Sequence, residues 1–188
     1  MDLGVTERVA TLLNAVREMI ENDIAPLDRE YHAEVGKHPS GNRFAMTDRQ
    51  LEIIDGLKAF ARKRNLWNFW LTGSDRGYGL STVEYAYLAE EMGKVPLAAE
   101  VFNCSAPDTG NMEVLHKYGS EAQKKQWLEP LLAGEIRSCF AMTEPDAGGG
   151  ASGNDAVIVA FASGKRSSVA YISRSSTIVT RKPAREAI

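Results

Sequence analysis

The chain has 188 residues, 44% hydrophobic and 25% charged, with a formal net charge of −3. That composition belongs to a folded chain with a sizeable core, and it excludes a strongly basic nucleic-acid binder and an acidic tail. No apolar run approaches the roughly 18–20 residues of a membrane span, and Cys104 and Cys139 form neither a disulfide framework nor a CxxC pair.

In chain order, Val9, Leu12, Leu13, Val16 and Ile20 form one stripe of a first helix expected to fade near Pro26. Thr47-Asp48-Arg49-Gln50 is a capping box: the threonine oxygen takes a first-turn N–H and the glutamine reaches back. It opens a helix with Ile53, Leu57, Phe60 and Ala61 on one side. Trp67, Phe69 and Trp70 come next, either as a stacking platform for a ring or, better at that spacing, as a plug for a helical bundle. Gly73, Gly77 and Gly79 mark a loop. Ser81-Thr82-Val83-Glu84 is a second box, backed by Tyr85, Leu88, Ala89 and Met92 and stopped at Gly93. Pro107, at an expected first helical position, starts a helix running through His116 to Gly119. Ser120-Glu121-Ala122-Gln123 is the third box, ahead of Trp127, Leu128, Leu131 and Leu132.

After Gly134 the texture changes. Residues 136–142 read as a strand, stopped by Pro145 and Gly148-Gly149-Gly150. Residues 156–161, 169–172 and 177–180 are short β-like runs. The stretch 151–188 carries six basic and two acidic residues, so the first 150 carry −7. The expected fold is mainly α: an antiparallel helical bundle followed by an incomplete β segment. His32, His38 and His116 have no partner at metal-ligand spacing, and no metal site is expected.

Several ordered motifs carry a resemblance. They are Gly77-Tyr78-Gly79-Leu80, Ala89-Glu90-Glu91-Met92-Gly93, the run from Lys117 to Leu128, Gly134-Glu135, and Cys139-Phe140-Ala141-Met142-Thr143-Glu144-Pro145. Together they resemble the acyl-CoA dehydrogenase family, over most of residues 1–150. The stretch from Phe102 to Glu113 looks like the branch that includes members fused to a kinase-like domain. The resemblance implies a family N-terminal helical domain over 1–134, the first strand and turn of the middle β-domain over 135–150, and a divergent tail over 151–188.

It also implies FAD as cofactor, acyl-CoA thioesters as substrate and α,β-dehydrogenation as the reaction, with the electron acceptor and the chain length open. Phe140, Met142 and Thr143 would face the flavin, and Gly148 and Gly149 would approach its phosphates. Phe102, Asn103, Ser105 and Gly110 would line the acyl end of the pocket. The family's catalytic glutamate belongs to a C-terminal helical domain, so no residue here is given that role. The parent family forms homo-oligomers.

One departure stands out. Where the family carries Ser and Asp after its Ala-Gly, this chain has Gly149 and Gly150. The expectation is therefore a truncated or mis-spliced form, inactive alone. The alternatives are a short flavoprotein completed by a partner chain and a non-catalytic helical module that associates with a full-length or partner subunit. The start of the chain resembles no signal peptide, and the intracellular compartment stays open.

Overall fold

The computed structural model describes residues 4–42, 45–72, 77–141, 156–163, 166–173 and 178–181, with side chains as far as Cys139. Its contacts divide it into two compact units, residues 1–105 and 106–188.

In the first unit, α1 (Glu7–Met19) starts at Thr6, whose hydroxyl oxygen accepts the Val9 N–H at 3.3 Å. Val9, Leu13, Val16, Met19, Ile20 and Ile24 are buried along it. The helix does not end near Pro26. A π-helical turn, Ile20–Ile24, leads directly into α2 (Ala25–Ala33), with Pro26 in its first turn. A proline inside a helix lacks an N–H and its ring presses on the carbonyl four residues back. The wider turn, closed by Ala25 N–H to Ile20 C=O, changes the hydrogen-bond register just ahead of Pro26 and so accommodates it.

The first capping box forms as read. Gln50 N–H reaches Thr47 Oγ1 at 3.2 Å and Thr47 N–H reaches Gln50 Oε1 at 3.0 Å, opening α3 (Asp48–Lys63). Ile53, Ile54, Leu57 and Ala61 are buried, but Phe60 is 40% exposed. The buried arc also takes in Gln50 and Lys58, which leaves Phe60 at its margin, with the Arg64 guanidinium 5.6 Å above the ring. The aromatic run after α3 plugs the bundle: Phe69 and Trp70 are buried, and Trp67 is half-buried under the Arg62 guanidinium at 4.2 Å.

The second box opens α4 (Thr82–Met92), which buries Leu88 and Met92 and closes at Gly93; α5 (Ala98–Val101) comes next. Helix α1 packs on α4, α2 on α3, and α5 on both α3 and α4. Two ion pairs join α1 to α4, Arg8–Glu84 and Arg17–Glu91.

Glu84 accepts the Ser81 N–H at 2.8 Å, the Arg8 guanidinium, and the Thr6 hydroxyl at 2.8 Å. Those donors, the Ser81 N–H first, hold its carboxyl down at about 2, against an ordinary value of 4.5. A depressed carboxyl contributes stability above its unfolded pKa and loses it as the pH falls toward the folded one. Glu84→Gln is therefore expected to be less stable than wild type at pH 7, with the gap closing between about pH 4.5 and pH 2. Chemical denaturation across that range checks it, and a gap independent of pH would contradict it.

The second unit begins with α6 (Asp108–Tyr118), whose N-cap is Pro107, so the helix starts one residue later than expected. Gly119 closes it where a side chain has no room: a Cβ there would lie 2.5 Å from the Leu115 carbonyl oxygen. The third box opens α7 (Glu121–Gln123), and a second π-helical turn, Lys124–Leu128, runs into α8 (Glu129–Leu132) with Pro130 in its first turn. The arrangement around Pro26 is thus repeated at Pro130. Trp127, Leu128 and Leu131 are buried, and α6 packs on this segment.

Gly134, at φ 69°, ends the helical part of this unit. Strands β1 (Arg137–Ala141), β2 (Ala156–Ser163), β3 (Arg166–Ser173) and β4 (Ile178–Arg181) form an antiparallel meander in that order. Ser138 stands opposite Phe161 and Val169 opposite Arg181. The three β-like runs of the tail are thus strands, and the fold is mainly α, with the sheet following the helices in the chain.

Candidate functional site

Three of the four residues expected at the acyl end come just after α5. Phe102 is fully buried, its ring tilted 51° against Phe69 at 5.6 Å. Asn103 has φ 56° and Asn68 φ 61°. Asparagine tolerates this left-handed region better than most residues. The two asparagines interlock: Asn103 Nδ2 donates to Asn68 Oδ1 at 2.7 Å, and the Asn68 N–H donates to the Phe102 carbonyl at 3.0 Å. Ser105 Oγ donates to Glu100 Oε2 at 2.8 Å, and Glu100 pairs with Lys58.

Between them Cys104 is buried, and burial pushes its thiol up to about 12 against the opposing backbone N–H groups of Trp70 and Phe69. At neutral pH it is a thiol and no nucleophile. Burial likewise pushes the Tyr85 phenol up. This loop is a packed and hydrogen-bonded knot held by Asn68, Phe69 and Tyr78. Tyr78 belongs to the Gly-Tyr-Gly-Leu motif, its ring edge-on to Phe69 at 5.1 Å and its hydroxyl accepting the Trp67 N–H at 3.4 Å.

Elsewhere on this unit Phe60 lines an open hollow with Leu57, Pro26, Leu27, Asn22 and Asp23. His32 Nδ1 lies 2.8 Å from the Asp28 carbonyl, and His38 Nδ1 lies 2.7 Å from the Ser40 hydroxyl. Among the described residues no three His, Cys, Asp or Glu side chains gather as metal ligands, and no helix is long and apolar enough to cross a membrane.

In the second unit Gly110 lies in the first turn of α6. Phe140 stands on β1 with its backbone opposite Val159. Met142, Thr143, Gly148 and Gly149 lie outside the described residues. A feature that the sequence did not single out is the buried cluster joining α6 to β1. Asp108, 2% exposed, accepts the Ser138 N–H at 2.6 Å and the Ser138 hydroxyl at 2.5 Å on one oxygen, and Arg137 Nε at 2.7 Å on the other. Asn111 Nδ2 donates to Ser138 Oγ at 2.8 Å. An aspartate just after Pro107 carries a helix-start signal, but its partner 30 residues on carries none.

A family model described as the acyl-CoA dehydrogenase N-terminal domain matches residues 6–135. Acyl-CoA dehydrogenase family member 11 of Mus musculus is 47% identical over 144 residues, 75% of this chain and 17% of that protein. The Homo sapiens protein of the same name is 64% identical over 94 residues, 50% of this chain and 12% of its own. A solved structure of a Mycobacterium abscessus protein assigned as an acyl-CoA dehydrogenase matches with a TM-score of 0.67 and 42% identity, over 89% of this chain and 42% of that one. The chain thus spans less than a fifth of the length of these two curated relatives.

Proposed function

The chain belongs to the acyl-CoA dehydrogenase family, and from that premise we propose that it serves flavin-dependent α,β-dehydrogenation of acyl-CoA thioesters, as part of a homo-oligomer. The observation that carries the proposal is that the family match covers the whole helical part and ends at residue 135, two residues before β1 begins at Arg137. Residues 6–135 match the family's helical domain, Phe140 stands on β1, and Met142 and Thr143 follow in the sequence. The proposed domain division is a helical domain over 1–134, the first strand and turn of a β-domain over 135–150, and a divergent tail over 151–188.

The donor chemistry suits a flavin. A strand running into a turn offers backbone N–H groups, and Thr143 adds a hydroxyl for the polar edge of an isoalloxazine. By the family resemblance Gly148 and Gly149 would approach a phosphate, since consecutive backbone N–H groups in a glycine-rich turn form an anion-binding concavity. Gly149 brings its amide alone where the family has a serine hydroxyl. Bound FAD would supply the redox chemistry, while the protein binds and orients. On the substrate side Phe102, Asn103, Ser105 and Gly110 are proposed to form the acyl end. The interlock of Asn103 with Asn68 would give that end a fixed shape rather than a free polar group. No residue is proposed as the catalytic base.

Titration of the purified chain with FAD tests the reading. Saturable quenching of flavin fluorescence is expected, weakened about tenfold in Thr143→Ala, the scale of one hydrogen bond to a polar group left unpaired. A chain that keeps its helical circular dichroism and leaves flavin fluorescence unchanged would remove the cofactor from the proposal.

A further inference from the structure

β1 is an edge strand: β2 pairs with one side of it and, among the described residues, no strand pairs with the other. Edge strands present unpaired N–H and C=O groups, and something must cover or satisfy them. The Ser138 N–H is directed to Asp108 Oδ1 at 2.6 Å, so it is not spent on β2. The same carboxylate takes the Ser138 hydroxyl and Arg137 Nε. The Ser138 oxygen in turn accepts from Asn111, one turn further along α6. Asp108 is the first residue of α6, where a negative charge also meets the positive end of the helix.

Burying a carboxylate is unfavourable unless its lone pairs are taken up. Here three donors converge on it, all of them from two consecutive residues of one strand. A single bond would leave β1 free to rotate or slide along α6. Bonds to a backbone N–H, a hydroxyl and a guanidinium, with Asn111 locking the hydroxyl, fix both register and face. Phe140 is only two residues beyond Ser138, and Met142 and Thr143 come shortly after it in the chain.

We propose that Asp108 is a positioning residue: with Asn111 it clasps the free edge of β1 and thereby sets where the flavin-contacting run Phe140–Thr143 begins. The clasp itself is independent of any ligand; its effect on flavin rests on the function proposed above. The serine hydroxyl is the element that lets one carboxylate hold side chain and backbone together, so Ser138→Ala removes two bonds, to Asp108 and from Asn111, and Asp108→Asn weakens all three at the carboxylate.

Amide hydrogen exchange on the full chain tests the clasp directly. In Asp108→Asn the amides of residues 137–141 are expected to exchange about tenfold faster while those of α3 keep their wild-type rates. Ser138→Ala should fall between that variant and wild type. Asp108→Glu keeps the charge but moves it by one methylene, so a positional role predicts that it does not rescue protection, whereas a purely electrostatic role predicts that it does. Full rescue by glutamate, or unchanged exchange in Asp108→Asn, overturns the proposal.

FAD titration of the same variants tests the consequence. The dissociation constant is expected to rise about tenfold in Asp108→Asn, with a less structured visible flavin band. Faster exchange with wild-type FAD affinity would overturn the link to the flavin. Should the wild-type chain bind no FAD, the cofactor proposal fails by itself, and the exchange data alone decide the clasp.

Discussion

Replacing Phe69 with alanine is expected to lower the unfolding free energy by about 4 kcal/mol, near the middle of the range for Phe→Ala in a core that cannot collapse onto the gap. Phe69 is fully buried, and both of its aromatic neighbours are pinned. Tyr78 lies edge-on at 5.1 Å and is held by the Trp67 N–H; Phe102 lies at 5.6 Å, with its carbonyl held by Asn68. Neither ring is free to move into the cavity. Beyond area burial, each well-oriented aromatic pair adds roughly 0.5–1.5 kcal/mol. Phe60 is the internal control: it is 40% exposed at the margin of α3, and Phe60→Ala should cost under about 1 kcal/mol. Urea denaturation of the two variants decides it. Equal losses would mean that the aromatic run is not the plug of the first unit.

Sequence reading succeeded where the cause of structure is local. Each of the three capping boxes is complete within four residues, and each forms with both of its reciprocal bonds. The strand after Gly134 and the three runs of the tail are likewise where β-branched and small apolar residues cluster between turn formers. The failures have two physical sources. Pro26 reads as a stop because a proline breaks the α-helical ladder, yet a π-helical turn ahead of it carries the helix on, and Pro130 repeats the arrangement. No residue type marks such a turn in advance.

The second source is distance along the chain. Asp108 and Ser138 are ordinary until folding brings them together, and the Asn68–Asn103 interlock spans 35 residues. Family resemblance points to Asn103, but nothing near it in the sequence marks its left-handed backbone or its partner. Phe60 shows a milder case. A helical stripe gives the direction of the core to within an arc, and a residue at the arc's margin goes to whichever side the neighbouring helices leave open.

The Gly77-Tyr78-Gly79-Leu80 motif yields the other large expected effect. A Cβ on Gly77 would lie 2.4 Å from the Leu71 carbonyl oxygen, a backbone atom of a buried residue that comes directly after buried Trp70. No flexible side-chain end is available to yield, so the loop itself must move. Gly77→Ala is expected to cost about 2–3 kcal/mol, the upper part of the range for overpacking. Gly79, at φ 62°, resists substitution for a different reason, backbone strain; Gly79→Ala should cost about 1–2 kcal/mol.

Between the two glycines stands Tyr78, whose phenol is pushed up by burial. A displaced loop returns that phenol toward water, so Gly77→Ala should bring its titration back toward 10. Ultraviolet titration of wild type against the variant reads this separately from stability. Because Gly77 and Phe69 both act through Tyr78, the two substitutions should not add. The double variant Phe69→Ala/Gly77→Ala is expected to lose about 1 kcal/mol less than the sum of the singles. Strict additivity would show that the glycine holds something other than the tyrosine, and would leave the motif as a hinge rather than as the strap that fixes Tyr78 against Phe69.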